Sequence, residues 1–338
     1  MGELVDNQHG LRFLIVDGST VQEPGAKGTT YRLHIAIDLI NLSVRQVEVT
    51  TDKEGEHLGH YAMQKGDVVV IDRGYNQPSS LVPWINAGGD VVLRYNAHGM
   101  RLHERNAEKA AIDWEERLRV LNGQPGCIPV TLRQAGQSIL GYVHAIPLPP
   151  EKAQEARRKA KQRAQKKGGT ASEKTLCLAE WVLIFTSLPP EMINTKTIAA
   201  LYRVRWQVEL VIKRLKSILS IDLLRARKHS DLAALYLHGK LLFAAVLQKV
   251  SHRWFAPAKR TMDAPREITD WRLWQSVRDV FKAALVTCFP ARKEYVADAI
   301  KSLRERPRKR KLQLLPVSIL TLPLLTCPDR KTPYESIS

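Results

Sequence analysis

Two short, wholly apolar runs each end on an aspartate: Phe13–Val16 (FLIV) before Asp17, and Val68–Ile71 (VVVI) before Asp72. Runs of this kind, bounded by Gly and polar clusters, read as buried strands. Tyr31–Ile40 and Val44–Thr51 alternate at period two, and Val91–Tyr95 is a further strand candidate. Open α/β sheets bind ligands at the carboxyl ends of their central strands. Asp17 and Asp72 are therefore candidate site residues. Taken singly, an aspartate after a strand is more often a turn or cap residue.

A helix supplies the third element. The run Leu201–Leu219 carries Tyr202, Arg205, Glu209 and Lys216. At about 100° per residue, Arg205, Glu209 and Lys216 fall at about −60°, −20° and −40° from Tyr202, and Lys213 at about +20°. One arc thus holds a lone carboxylate, a phenol and three cations. The adjoining arc holds Leu201, Val204, Val208, Val211, Ile212, Leu215 and Leu219, a stripe suited to a core. A solvated charged face explains such a helix on its own. Two strand-end aspartates beside it make a different reading available: hard divalent cations take oxygen ligands, and paired metals activate a water and stabilise a leaving oxygen in phosphodiester cleavage.

Charge points to the partner. Among 338 residues there are 52 Lys or Arg against 34 Asp or Glu, a formal net charge of +18, which suits a polyanion such as nucleic acid. The four cysteines, at 127, 177, 288 and 327, form no Cys-x2-Cys pair, which argues against a zinc ribbon or a disulfide framework. The apolar stretch 232–250 is broken by His238 and Lys240, and 312–327 by Pro316 and Pro323, so neither reads as a membrane span. The first residues do not read as a signal peptide. The expectation is a cytoplasmic, nucleoid-associated protein with no membrane partner.

The chain divides into four stretches. Residues 1–96 are strand-rich. Residues 97–188 alternate β-like pieces (Pro129–Arg133, Ser138–Ile146, Trp181–Phe185) with charged segments, including a stretch at 151–174 with nine Lys or Arg against three Glu. That stretch reads as a solvated helix or as a phosphate-contacting arm. Residues 189–255 are helical, with a break near Ser220–Leu223. Residues 256–338 hold a helical stretch near 268–287 and a basic run, Lys301–Lys311, with seven cations and one Glu.

Taken together, the blocks VDGST around Asp17, YRLHIAIDL, GDVVVIDRGY around Asp72, and the Tyr-x2-Arg-x3-Glu-x6-Lys helix resemble the DDE transposases of bacterial insertion sequences. More narrowly, they resemble family four of those elements, marked by the Tyr-Arg-Glu-Lys spacing. The resemblance covers about residues 11 to 250 and rests on separate blocks in the right order. It implies an α/β fold: a ribonuclease-H-like core of mixed sheet and flanking helices, split between 1–96 and 189–255. A mostly β insertion at 97–188 would interrupt it, and 256–338 would form a helical, basic C-terminal region.

The resemblance also implies a chemistry. Asp17, Asp72 and Glu209 would be the catalytic carboxylates and the ligands of two Mg²⁺ ions, with Mn²⁺ as a substitute. The reaction would be cleavage at the element's ends and transfer of the 3′-hydroxyl into target DNA, a cut-and-paste transposition carried out by a homodimer in a synaptic complex. Tyr202, Arg205 and Lys216 would hold DNA, and Trp181 would stack on a flipped base, against the plainer reading of Trp181 as a core residue. Lys213, on the same arc, is a further candidate for DNA contact, and Arg73 either touches DNA or pairs with a carboxylate. Relatives usually carry a helical end-binding domain before the first catalytic Asp. Here Asp17 lies near the start, so the alternative expectation is a truncated, catalytically impaired DNA-binding remnant that inhibits full-length transposase.

Overall fold

The computed structural model describes residues 11–40, 42–105, 110–226, 230–259, 267–284, 300 and 304–305. Most of the basic run Lys301–Lys311 lies outside the described residues. Five strands form the first part of the chain: β1 Arg12–Val21, β2 Tyr31–Asp38, β3 Ser43–Thr51, β4 Asp67–Ile71 and β5 Asp90–Arg94, with helix α1, Pro78–Asn86, between β4 and β5. Four more follow: β6 Leu102–Glu104, β7 Gly126–Gln134, β8 Gln137–Pro147 and β9 Trp181–Thr186. Their helices are α2 Trp114–Val120, α3 Pro150–Lys166 and α4 Glu173–Ala179. The chain then becomes helical through α5 Thr195–Val204, α6 Gln207–Leu219, α7 Asp231–Lys259 and α8 Asp270–Ala284.

All nine strands join one mixed sheet in the order β3-β2-β1-β4-β5-β9-β8-β7-β6. The pairs β1–β4 and β4–β5 are parallel and the rest antiparallel. The apolar runs of β1 and β4 have the reason expected of them. Phe13, Ile15, Val68 and Val70 face one core with α6, α7 and α8, while Leu14, Val16, Val69 and Ile71 face a second core with α1 and α2. Both faces of the central strands are covered, so neither face tolerates a polar side chain. The result is the ribonuclease-H-like arrangement of mixed sheet and flanking helices.

Helix α6 lies against the first face through Val208, Val211, Leu215, Ile218 and Leu219, all buried, each worth about 1.5–3 kcal/mol. Its roll about its own axis is fixed by Arg214. That side chain is 9% exposed, pairs with Asp270 Oδ2 at 3.0 Å, and sits over the Trp274 ring at 5.5 Å. The helix's opposite edge therefore faces the carboxyl ends of β1 and β4.

Two expectations need correction. Strand β1 does not end at Asp17. Its pairing with β4 stops at Ile15, but it continues through Val21 on β2, with Asp17 opposite Ile35. The stretch Leu201–Leu219 is not one helix. Arg205 N–H bonds Tyr202 O, Val208 N–H bonds Arg205 O and Glu209 N–H bonds Trp206 O. These three-residue steps tighten the turn and change its phase relative to a continuous α-helix, separating α5 from α6.

Candidate active site

Asp17 stands where β1 parts from β4, and Asp72 directly follows the last residue of β4. The two carboxylates thus share one end of the sheet. Each is fixed by a backbone amide close after it: Gly18 N–H donates to Asp17 Oδ1 at 2.8 Å, and Gly74 N–H to Asp72 Oδ1 at 2.7 Å. The second amide closes the short helical turn Arg73–Tyr75, with Asp72 as its cap. Behind them, Tyr61 donates to Asp17 O at 3.4 Å, and its hydroxyl meets that of Tyr75 at 2.8 Å.

The helical segment closes the site from above. Arg205 Nη1 reaches Asp17 Oδ2 at 3.2 Å, and its Nη2 reaches Glu209 Oε1 at 2.9 Å. Glu209 is turned toward this guanidinium and its side chain is 58% exposed. Among the described residues no three acidic, His or Cys side chains already close around one point. Lys216 Nζ lies 3.4 Å from Thr20 O, along β1 from Asp17. Lys213 is exposed on α6. Tyr202 is half-buried, with the guanidinium of Arg94 5.9 Å from its ring centre. Arg73 is exposed beside Asp72. Trp181 begins β9, 8% exposed within the second core among residues such as Tyr95 and Trp114. The structure brings Asp17, Asp72, Arg205, Glu209 and Tyr202 together and leaves Trp181 inside the core.

Burial raises the Asp17 carboxyl above its ordinary value, opposed by Arg205 and reinforced by the negative charge of Asp72. Arg205 itself is raised: burial works against its charge, but Tyr202, Asp17, Asp72 and Glu209 together outweigh it. Tyr202 is raised chiefly by burial, with Arg205 and Arg94 opposing.

Two residues escaped the sequence reading. Arg94 ends β5, half-buried; burial and then the like charge of Arg73 lower its pKa, and its Nε has no hydrogen-bond partner. A signal was available. Arg94 closes an apolar strand run in the way Asp17 and Asp72 do, at the same end of the sheet. Glu56 is the second. It lies in the polar loop between β3 and β4, and its carboxyl is raised by burial, then by Asp72 and Asp17. Its surroundings, Thr51–His60, read only as a hydrophilic turn.

The donor set fits a hard divalent cation. Its members are carboxylate oxygens, and their charges oppose one another in a partly desolvated place, which is what a bound cation relieves.

Residues 8–242 match the family described as "Transposase DDE domain". The chain is 31% identical over 248 residues to the "Putative transposase InsL for insertion sequence element IS186A" of Escherichia coli (strain K12). It is likewise 31% identical over 248 residues to the "Transposase for insertion sequence element IS421" of Escherichia coli. Each match covers 71% of this chain and 66%, just under two thirds, of the relative's own length.

Proposed function

This chain belongs to the DDE transposase family of bacterial insertion sequences, and from that premise we propose that it cuts phosphodiester bonds at the ends of an insertion element and joins the freed 3′-hydroxyl to target DNA. Membership carries dependence on a divalent metal, generally Mg²⁺. Asp17, Asp72 and Glu209 are the residues we assign to hold it, as two ions for which Mn²⁺ substitutes. When bound, the metal supplies a water nucleophilic at neutral pH and stabilises the leaving oxygen.

The observation that carries this reading is Arg205. One guanidinium contacts both Asp17 and Glu209, so the point where β1 parts from β4 and the helix edge form one locus, with Asp72 alongside. Arg205 keeps these carboxylates partly neutralised, and its fork geometry suits phosphate equally well. Arg94 and Arg73 extend that cationic side. Tyr202 holds its ring beside Arg94 and its hydroxyl toward the same face. Lys213 and Lys216 lie one and two turns further along α6, where they serve as point charges for the DNA backbone. The Tyr-Arg-Glu-Lys spacing supports the narrower family-four placement, and with it cut-and-paste excision by a homodimer in a synaptic complex.

We take 1–96 and 189–255 as the two parts of the catalytic core, and 97–188 as an insertion that extends its sheet. Residues 256–338 are taken as a helical, basic C-terminal region, of which α8 packs on the same core as α6. Trp181 remains our candidate for stacking on a flipped base, a role that requires its ring to leave the core. The test is incubation of the purified chain with DNA carrying the element's own ends. Nicking that requires Mg²⁺ and stops with chelator supports cleavage. Salt-sensitive binding with no nicking in any divalent metal supports a binding-only remnant instead.

A further inference from the structure

We infer that Glu56 is a fourth carboxylate of the metal site, a direct ligand alongside Asp17 and Asp72. This inference rests on the metal site proposed above and adds to it a residue that none of its sequence blocks contains.

Two glycines carry the argument. Gly18 follows Asp17 directly, and Gly74 stands two residues after Asp72. Neither has a positive φ, unlike Gly25 or Gly66, so their backbone does not demand glycine. What they supply is room. A Cβ on Gly18 would stand 2.9 Å from Glu56 Oε1. A Cβ on Gly74 would overlap Glu56 Oε2 outright and would stand 3.0 Å from Asp72 Oδ1. The Glu56 carboxylate is therefore lodged between the backbones that carry the two aspartates, close enough to Asp72 for one cation to touch both.

Hydrogen bonding does not explain that position. The amides of Gly18 and Gly74 are already taken by Asp17 and Asp72. The recorded cationic partner of Glu56 is Arg32 Nη1 at 3.9 Å, the outer limit of an ion pair, while the Glu56 side chain is only 26% exposed. A carboxylate so placed faces two others, and the charges of Arg32 and Arg205 offset this only in part, an arrangement that a hard cation stabilises. Burial and the charges of Asp72 and Asp17 raise its pKa accordingly.

The test measures Mn²⁺ binding to the full chain without DNA, by titration calorimetry. Glu56→Gln keeps the shape between the glycines and removes the charge. Mn²⁺ affinity is expected to fall at least about ten-fold, with the circular dichroism unchanged. Asp17→Asn is the control and should lose binding more severely. Wild-type affinity in Glu56→Gln together with loss in Asp17→Asn overturns the fourth ligand and leaves the three-carboxylate site standing. Wild-type affinity in both variants overturns the metal site itself. Should Glu56→Gln fail to fold, Glu56→Asp, which keeps the charge one methylene short, is measured instead; weakened affinity supports the inference and unchanged affinity overturns it.

Discussion

Arg205 and Asp17 are 188 residues apart in sequence and meet at 3.2 Å. That contact ties the helical part of the core to the point where β1 parts from β4, and the same guanidinium holds Glu209. Under the proposed assignment, a divalent cation and Arg205 would be alternative partners for the same oxygens. Without metal, Arg205 leaves neither Asp17 nor Glu209 as a bare carboxylate.

Replacing Arg205 separates its two roles. Arg205→Ala leaves Asp17 half-buried beside Asp72 with no cation. We expect a loss of about 3 kcal/mol in the metal-free chain, as for one partner removed from a buried pair, and a loss of cleavage of about a hundred-fold or more. Urea unfolding in chelator reads the first and single-turnover nicking the second. Saturating Mg²⁺ should recover much of the stability and little of the activity.

Asp17 makes stability depend on pH with a definite sign. Its folded pKa is raised, so the folded state holds the proton longer than the unfolded state does. From this group, stability falls as pH climbs from the ordinary value of 3.8 through the raised folded value, then levels. Asp17→Asn removes that cost. In chelator, the variant's melting temperature should gain on wild type across that window and keep the gain at neutral pH. Mg²⁺ at about a hundred times its Kd should then stabilise wild type by about 2.7 kcal/mol and leave Asp17→Asn unmoved. A variant less stable than wild type throughout contradicts the assignment of burial as the larger effect.

Helix α3 predicts a salt effect. Lys152 and Lys159 pair with Glu155, and Arg157 pairs with Glu180. Lys161, Arg163, Lys166 and Lys167 are exposed on the same segment. If they contact phosphates, replacing all four with Ala lowers DNA affinity whatever the sequence, and reduces the slope of log K against log salt by up to about 3.6. An unchanged slope makes the helix a solvated face.

Arg214 predicts an effect at a distance. It touches no candidate ligand, yet through Asp270 and Trp274 it sets the roll of α6. Arg214→Ala should cost about 2–3 kcal/mol, less than a fully buried pair because Asp270 is 27% exposed. Cleavage and DNA affinity should fall together, since Glu209, Lys213 and Lys216 all ride on the helix whose roll is disturbed.

Much of the site was legible because its parts announce themselves locally. Apolar runs long enough to be buried on both faces marked β1 and β4, and the aspartates came with them. Helical spacing put Glu209 beside its cations. The remainder depends on long-range or fine geometry. Glu56 reaches the site only because the loop after β3 folds back under two glycines, and nothing in its neighbours encodes that approach. The break between α5 and α6 arises from three-residue hydrogen-bond steps that leave the apolar stripe nearly intact, so periodicity did not reveal it. Trp181 carries the same alternation as any strand residue, and only packing shows it enclosed.

The central claim is that Asp17, Asp72 and Glu209 hold the metal for cleavage. It is tested most directly by single-turnover cutting of element-end DNA in Mg²⁺ by Asp17→Asn, Asp72→Asn and Glu209→Gln, with DNA affinity measured on the same samples. Each variant is expected to bind DNA at least as well as wild type and to cut about a hundred- to a thousand-fold more slowly or not at all. Cutting at the wild-type rate by any one of the three contradicts it.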